Sequence, residues 1–219
     1  MTPNVISFLE QLKVNNNRDW FQQNKNRYEA AKSEVLTFVG SVIPAISEFD
    51  ETVKFVEAQD CLFRIFRDVR FSSDKSPYKV NMGAWITPKG RKSSGPGYYL
   101  HLQPGESFLS VGVYMPEPDQ LKKIRQEIFY NADEFKAILS DRKIARYTTG
   151  LDDFDKAKQP PRDFPKDFAD IDLLKHRHYI LSASLDDTMI ISDKLFAYIT
   201  EVFRTFSPLN RFLKRALEG

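Results

Sequence analysis

The residues that could do chemistry crowd into one stretch. Arg64, Arg67, Arg70, Lys75 and Lys79 are opposed there only by Asp68 and Asp74, a net excess of three positive charges. Guanidinium groups hold a phosphate or carboxylate through two parallel hydrogen bonds, and lysines add mobile positive charge. Lys75-Ser76-Pro77-Tyr78-Lys79 reads as a proline-stiffened loop, which lowers the entropy cost of presenting those groups. The chemistry implied is anion binding. Equally open is a structural role, in which Asp68 and Asp74 pair with the arginines and hold the loop to the rest of the fold. Phe63, Ile65, Val69 and Phe71 share one parity and Arg64, Asp68, Arg70 and Ser72 the other, as in an extended chain; Leu62, Ile65, Phe66 and Val69 also fit helical spacing. The reading adopted is a strand to about Phe66, then a turn.

Acid–base chemistry would have to come from Tyr99 and His101. They alternate with Leu100 and Leu102 and so share the strand face turned away from the core, where they are the candidate catalytic pair. Arg125 could join the anion site from a following helix. His176 and His178, with Asp172 nearby, have a spacing compatible with a metal, but without cysteines or a helical His-x-x-x-His pair no metal or cofactor is expected. Gly90-Arg91-Lys92-Ser93-Ser94-Gly95-Pro96-Gly97 lacks the Gly-Lys-Ser/Thr ending of a phosphate loop and reads as a mobile hairpin tip. Ser72-Ser73-Asp74-Lys75 matches a Ser-x-x-Lys pattern, but Pro77 opposes the helix such a serine must begin. Cys61 reads as a small apolar packing residue.

The elements that must position these residues follow from periodicity. Thr2 and Pro3 suit an N-cap and first helical position, with Val5, Phe8, Leu9 and Leu12 at helical spacing. Asn17 can cap a second helix. Tyr28, Ala31, Val35, Phe38, Val39, Val42 and Ile46 form the stripe of a third, with Pro44 a kink or early end. The period then changes from 3.6 to 2, and strands are predicted near 82–87, 98–103, 108–114 and 178–184, the second and third joined by a hairpin turn at Pro104-Gly105-Glu106-Ser107. Helices return at Pro118 and Ala132; 141–170 reads as a long loop. Ser192 would cap a helix through Phe206, and Ser207-Pro208 a last, separate one. The expected fold is one α+β domain over 1–219, an antiparallel sheet of about four to five strands flanked by N-terminal and C-terminal helices, with Leu100, Leu102, Leu109, Val111 and Val113 buried.

Composition bounds the partners. With 32 basic and 30 acidic residues among 219, the net charge is +2, too balanced to coat nucleic acid through an overall field. A single cysteine excludes an internal disulfide, and no apolar run approaches the roughly 18 residues of a membrane span. The start lacks a secretory pattern. A cytoplasmic protein without membrane partners is expected.

The chain resembles the family catalogued as domain of unknown function 2461. The resemblance is carried by Arg67-Asp68-Val69-Arg70-Phe71-Ser72 with Asp74-Lys75-Ser76-Pro77-Tyr78-Lys79, by Asn16-Asn17-Arg18-Asp19-Trp20-Phe21, and by Gly97-Tyr98-Tyr99-Leu100-His101. Gly112-Val113-Tyr114-Met115-Pro116 and the stretch from Pro208 to Leu213 extend it over nearly the whole chain. It implies a single domain and no established activity, substrate or catalytic residues.

The functional expectation is therefore binding, with or without modification, of a phosphorylated or carboxylated small molecule, enzymatic activity being left open. The alternatives are a nucleic-acid-binding module, suggested by the aromatics Phe63, Phe66, Phe71, Tyr78, Tyr98 and Tyr99 among the basic residues, and an interaction scaffold whose arginines are structural.

Overall fold

The change of period in mid-chain produces the sheet. The structure, a computed structural model, describes residues 1–70 and 73–218. Among them β1 (Met82–Ile86), β2 (Gly97–Leu102), β3 (Phe108–Val113) and β4 (Tyr179–Ser184) form one antiparallel sheet in the order β1-β2-β3-β4. Strand parity decides what each face carries. Leu100, Leu102, Leu109, Val111 and Val113 are buried as expected and join Leu181 and Ala183 in the core. The opposite face aligns Trp85, Tyr99, Ser110 and Ser182 in one row across all four strands, beside a row of Gly83, His101, Phe108 and Ser184.

Helices cover the core face. α1 (Pro3–Val14), α2 (Arg18–Gln23) and α3 (Lys25–Ser47) precede the sheet, with Asn17 capping α2 by accepting the Trp20 N–H at 2.9 Å. Thr2 does not cap α1; its hydroxyl donates to Glu34 at 2.6 Å instead. A short α4 (Ala58–Cys61) leads into the basic segment, and α5 (Pro118–Tyr130) and α6 (Ala132–Leu139) follow β3. After β4 a four-residue α7 (Asp187–Ile190) precedes α8 (Leu195–Glu218), which lies along the core side of β3. Leu9, Val39, Val111 and Phe203 all belong to one continuous apolar cluster. No helix among the described residues is long and apolar enough to cross a membrane.

Two proline expectations are corrected. Pro44 does not end α3, which runs on to Ser47, and Pro208 does not divide the last helix, since α8 is continuous across it. A proline inside a helix frees the carbonyl four residues back, here that of Arg204. The Ser207 hydroxyl donates to that carbonyl at 2.8 Å, and Phe206, Leu209, Phe212 and Leu213 on either side of the break are all buried. Local repair and continuous burial outweigh the lost hydrogen bond.

The segment 62–66 bends at Ile65 and makes only isolated bridges, Leu62 with Ala84 and Phe66 with Tyr78. Phe63 N–H donates to the Gly83 carbonyl at 2.9 Å, so the segment runs beside β1 without becoming a fifth ladder strand. Phe71 and Ser72, which parity put on opposite faces of this segment, lie outside the described residues.

Candidate functional site

The face of the sheet turned away from α8 holds a cavity of about 480 Å³. Its floor is the row Trp85, Tyr99, Ser110 and Ser182 with His101, Phe108 and Ile180. Its walls are Phe63, Arg91, Ser93, Ser94, Tyr114, Asp152 and Phe154. A concave, mainly aromatic site with a few convergent polar groups is the usual form of a small-molecule site.

Each wall has a local cause. The stretch 89–97, expected as a mobile hairpin tip, is folded: a 3-10 turn at Gly90–Lys92 sets Arg91 to donate to the Gln59 carbonyl at 2.7 Å. The indole N–H of Trp85 donates to the Ser93 carbonyl at 3.2 Å, and Gln120 of α5 donates to the Ser94 hydroxyl at 3.1 Å. On the far edge Asp152 N–H donates to the Ile180 carbonyl at 3.0 Å, pinning the long loop to β4. His178 is stacked between Tyr114 and Phe154, each 4.9 Å away, and its Nδ1 accepts the Met115 N–H at 3.0 Å. That bond places the imidazole proton on Nε2, which faces Asp155 at 3.5 Å. Met115 has φ +48, a left-handed conformation uncommon for a side-chain-bearing residue.

Two hydrogen-bonded chains open onto the cavity. In the first, the Tyr99 hydroxyl lies 3.0 Å from His101 Nδ1, His101 Nε2 lies 3.2 Å from Gln103 Oε1, and Gln103 Nε2 donates to Glu106 at 2.7 Å. In the second, the Ser110 and Ser182 hydroxyls are 2.5 Å apart, and Ser182 donates to Asp152 Oδ2 at 2.7 Å. Burial pushes the Tyr99 phenol up to about 12, reinforced by Tyr114. Burial also lowers His101, against the pull of Gln103 and Glu106, and raises the Asp152 carboxyl above its ordinary value. In each of the three, burial works against the charged form.

Tyr99 keeps its place because Gly83 has no side chain. A Cβ at Gly83 would stand 2.5 Å from the Tyr99 hydroxyl oxygen. We expect Gly83→Ala to cost about 1–3 kcal/mol in denaturant unfolding, the usual range for overpacking. It should also move the Tyr99 hydroxyl off His101, visible as altered His101 imidazole nitrogen shifts in NMR; unchanged shifts would refute this account of Tyr99.

The basic segment is arranged differently from the cavity. Arg67 pairs with Asp74 and donates to the Ser76 hydroxyl at 3.1 Å, and Arg70 pairs with Asp68 at 2.7 Å. Lys75 donates to the Val69 carbonyl at 3.0 Å. Lys79 sits 5.5 Å from the centre of the Phe63 ring, and its pKa is lowered by burial and then by Arg64 and Arg67, so these three cations feel one another. None of Arg64, Arg67, Arg70, Lys75 or Lys79 lines the cavity; among the described residues its only cation is Arg91. Arg125 stands beside a second hollow of about 540 Å³, with Arg177, Asp155 and Glu117, and donates to the His176 carbonyl at 3.2 Å. Of the aromatics considered as stacking platforms, Tyr78 and Tyr98 are buried. Asp172 pairs with Lys156 and Lys175, while His176 Nδ1 lies 3.2 Å from the Asp152 carbonyl.

Sequence reasoning brought Tyr99 and His101 to the cavity and missed Asp152, Phe154, Arg91, Ser110 and Ser182. The long loop 141–170 was itself a signal, since structureless connections of that length are often functional. Cys61 is fully buried, its thiol pushed up to about 11 by burial, in keeping with a packing role.

No curated protein and no solved structure matches the chain. One family model, described as a conserved hypothetical protein (DUF2461), matches residues 4–212, nearly the full length. The chain belongs to that family.

Proposed function

We propose that the protein binds a small molecule with a planar, largely apolar body in the cavity on the outer face of the sheet. The observation that carries this reading is the convergence of Tyr99, His101 and Asp152, each with its charged form disfavoured by burial, inside an aromatic-walled hollow of about 480 Å³. The aromatic walls supply area at low entropic cost, and the polar groups supply orientation. An acidic group on the ligand, the kind expected from the basic segment, would be met by Arg91 at the β1 side of the cavity. Arg67 and Arg70 are engaged with Asp74 and Asp68, which favours a clamping role for that segment.

The test is a thermal-shift screen of aromatic metabolites against the wild type and Ile180→Trp, which fills the cavity from its floor without replacing any of the polar groups. A ligand at about 100 times its Kd adds about 2.7 kcal/mol of apparent stability. Wild-type hits should shift the melting temperature by several degrees, and Ile180→Trp should abolish the shift. Hits that survive in Ile180→Trp would place binding elsewhere and sink the proposal.

A further inference from the structure

The two hydrogen-bonded chains have a direction, and it determines what the cavity can accept. Glu106 is a carboxylate and accepts only, so Gln103 must turn its NH2 toward it and its Oε1 toward His101. His101 then has to donate from Nε2, which leaves Nδ1 unprotonated and obliges the Tyr99 hydroxyl to donate to it. Asp152, as a carboxylate, imposes the same logic on the other chain. Ser182 gives its only hydroxyl proton to Asp152, so the 2.5 Å bond between the serines must be donated by Ser110. Tyr99 and Ser110 are cross-strand partners on the cavity floor, the Tyr99 hydroxyl reaching over Gly83 of β1 to His101 and the Ser110 hydroxyl turned toward Ser182 of β4. Both have spent their single proton on the protein and offer the cavity lone pairs only.

We propose that the cavity selects a ligand that brings hydrogen-bond donors to Tyr99 and Ser110, an aromatic compound bearing a primary ammonium or similar N–H group. This rests on the cavity being the binding site. A carboxylate or carbonyl placed against either hydroxyl would meet an acceptor oxygen with no proton to give, an unsatisfied and repulsive contact. An ammonium would satisfy either oxygen, and the surrounding ring faces favour positive charge. Any acidic group on the same molecule is confined to the Arg91 side, so a ligand carrying both charges would lie across the strands with its amine nearer β3 and β4.

The test compares para-fluorophenethylamine with para-fluorophenylacetate by fluorine NMR titration, on the wild type, Asp152→Asn and Ser182→Ala. The wild type should bind the amine about tenfold more tightly than the carboxylate. Both variants should erase that preference: an asparagine amide can donate as well as accept, and removing the Ser182 hydroxyl frees Ser110 to donate. In the wild type, imidazole nitrogen NMR should find the His101 proton on Nε2. A carboxylate preference that Ile180→Trp abolishes would overturn the donor rule while leaving the cavity as the site. A His101 proton on Nδ1 would overturn it too, because Tyr99 would then be free to donate. Binding of neither probe would count against the cavity reading and the donor rule together.

Discussion

Gly112→Ala should destabilise the protein by about 3–5 kcal/mol, combining a strained backbone with overpacking against main-chain atoms. Gly112 has φ +134, a conformation open to glycine and closed to alanine without strain. A Cβ there would stand 2.0 Å from the Tyr179 carbonyl oxygen and 2.9 Å from the Ile180 Cα. Those atoms are backbone of the adjacent strand, so no side-chain rotation relieves the overlap; β3 and β4 would have to separate. Their separation would also break the Ser110–Ser182 bridge and release the Asp152 loop, taking the far wall of the cavity with it. Stabilities of whole proteins are about 5–15 kcal/mol, so the variant should be partly unfolded at room temperature or show a large drop in denaturant midpoint. A midpoint within experimental error of the wild type would refute this account of the β3–β4 junction.

Lys214→Met is the second large effect, and it acts at the opposite face. Asp50 is 8 % exposed in its side chain and Lys214 16 %, and they are joined by contacts of 2.6 and 2.5 Å. Lys214 also donates to the Thr52 hydroxyl at 2.6 Å, and the fully buried Tyr98 donates to Asp50 at 2.9 Å. The cluster ties α8 to the turn after α3 and to β2. Removing the lysine leaves a carboxylate out of water without a counter-charge, which costs about 3–5 kcal/mol when one partner of a buried pair is lost. An Asp50→Asn/Lys214→Met double variant should recover part of that loss.

The pH dependence separates this cause from a simple packing defect. Burial works to raise the Asp50 pKa, but hydrogen bonds from Lys214, Thr52 and Tyr98 and the charge of Lys214 outweigh it, so the folded value lies below the ordinary 3.8. A depressed folded pKa contributes stability above 3.8 that is lost as pH falls through the folded value. In Lys214→Met burial acts without the lysine, the folded pKa rises, and lowering the pH relieves the variant. The stability gap between variant and wild type should therefore be widest near neutral pH and narrow toward pH ~3. A gap independent of pH would mean the lysine acts through its methylenes alone.

The legible part of this protein was local. Alternation around Leu100 and Leu109 set the sheet and its core face, and the same alternation turned Tyr99 and His101 to the other side. Asn17 announced its cap because a side-chain oxygen three residues before a backbone N–H is a local geometry. The separate final helix drawn at Pro208 failed for a reason spacing does not carry: Ser207 satisfies the freed carbonyl and the flanking residues stay buried. The basic segment drew attention by composition, yet composition does not say which carboxylate reaches which arginine.

By itself the sequence determined the α+β class, the antiparallel meander, the residues of the core face and the family, because each depends on residue type read at short range or over the whole length. Only the tertiary structure decided where the cavity lies and which way its hydrogen bonds run. Asp152 and Phe154 come from a loop and Arg91 and Ser93 from a folded hairpin connection, so the cavity is assembled from pieces far apart in the chain, and Glu106, from a turn, sets the direction of its Tyr99 chain through Gln103. A hydroxyl has one proton to give, and its recipient is set by the neighbour that folding places within about 3 Å. For Tyr99 that neighbour is His101, and for Ser110 it is Ser182. Those two placements give the site its polarity.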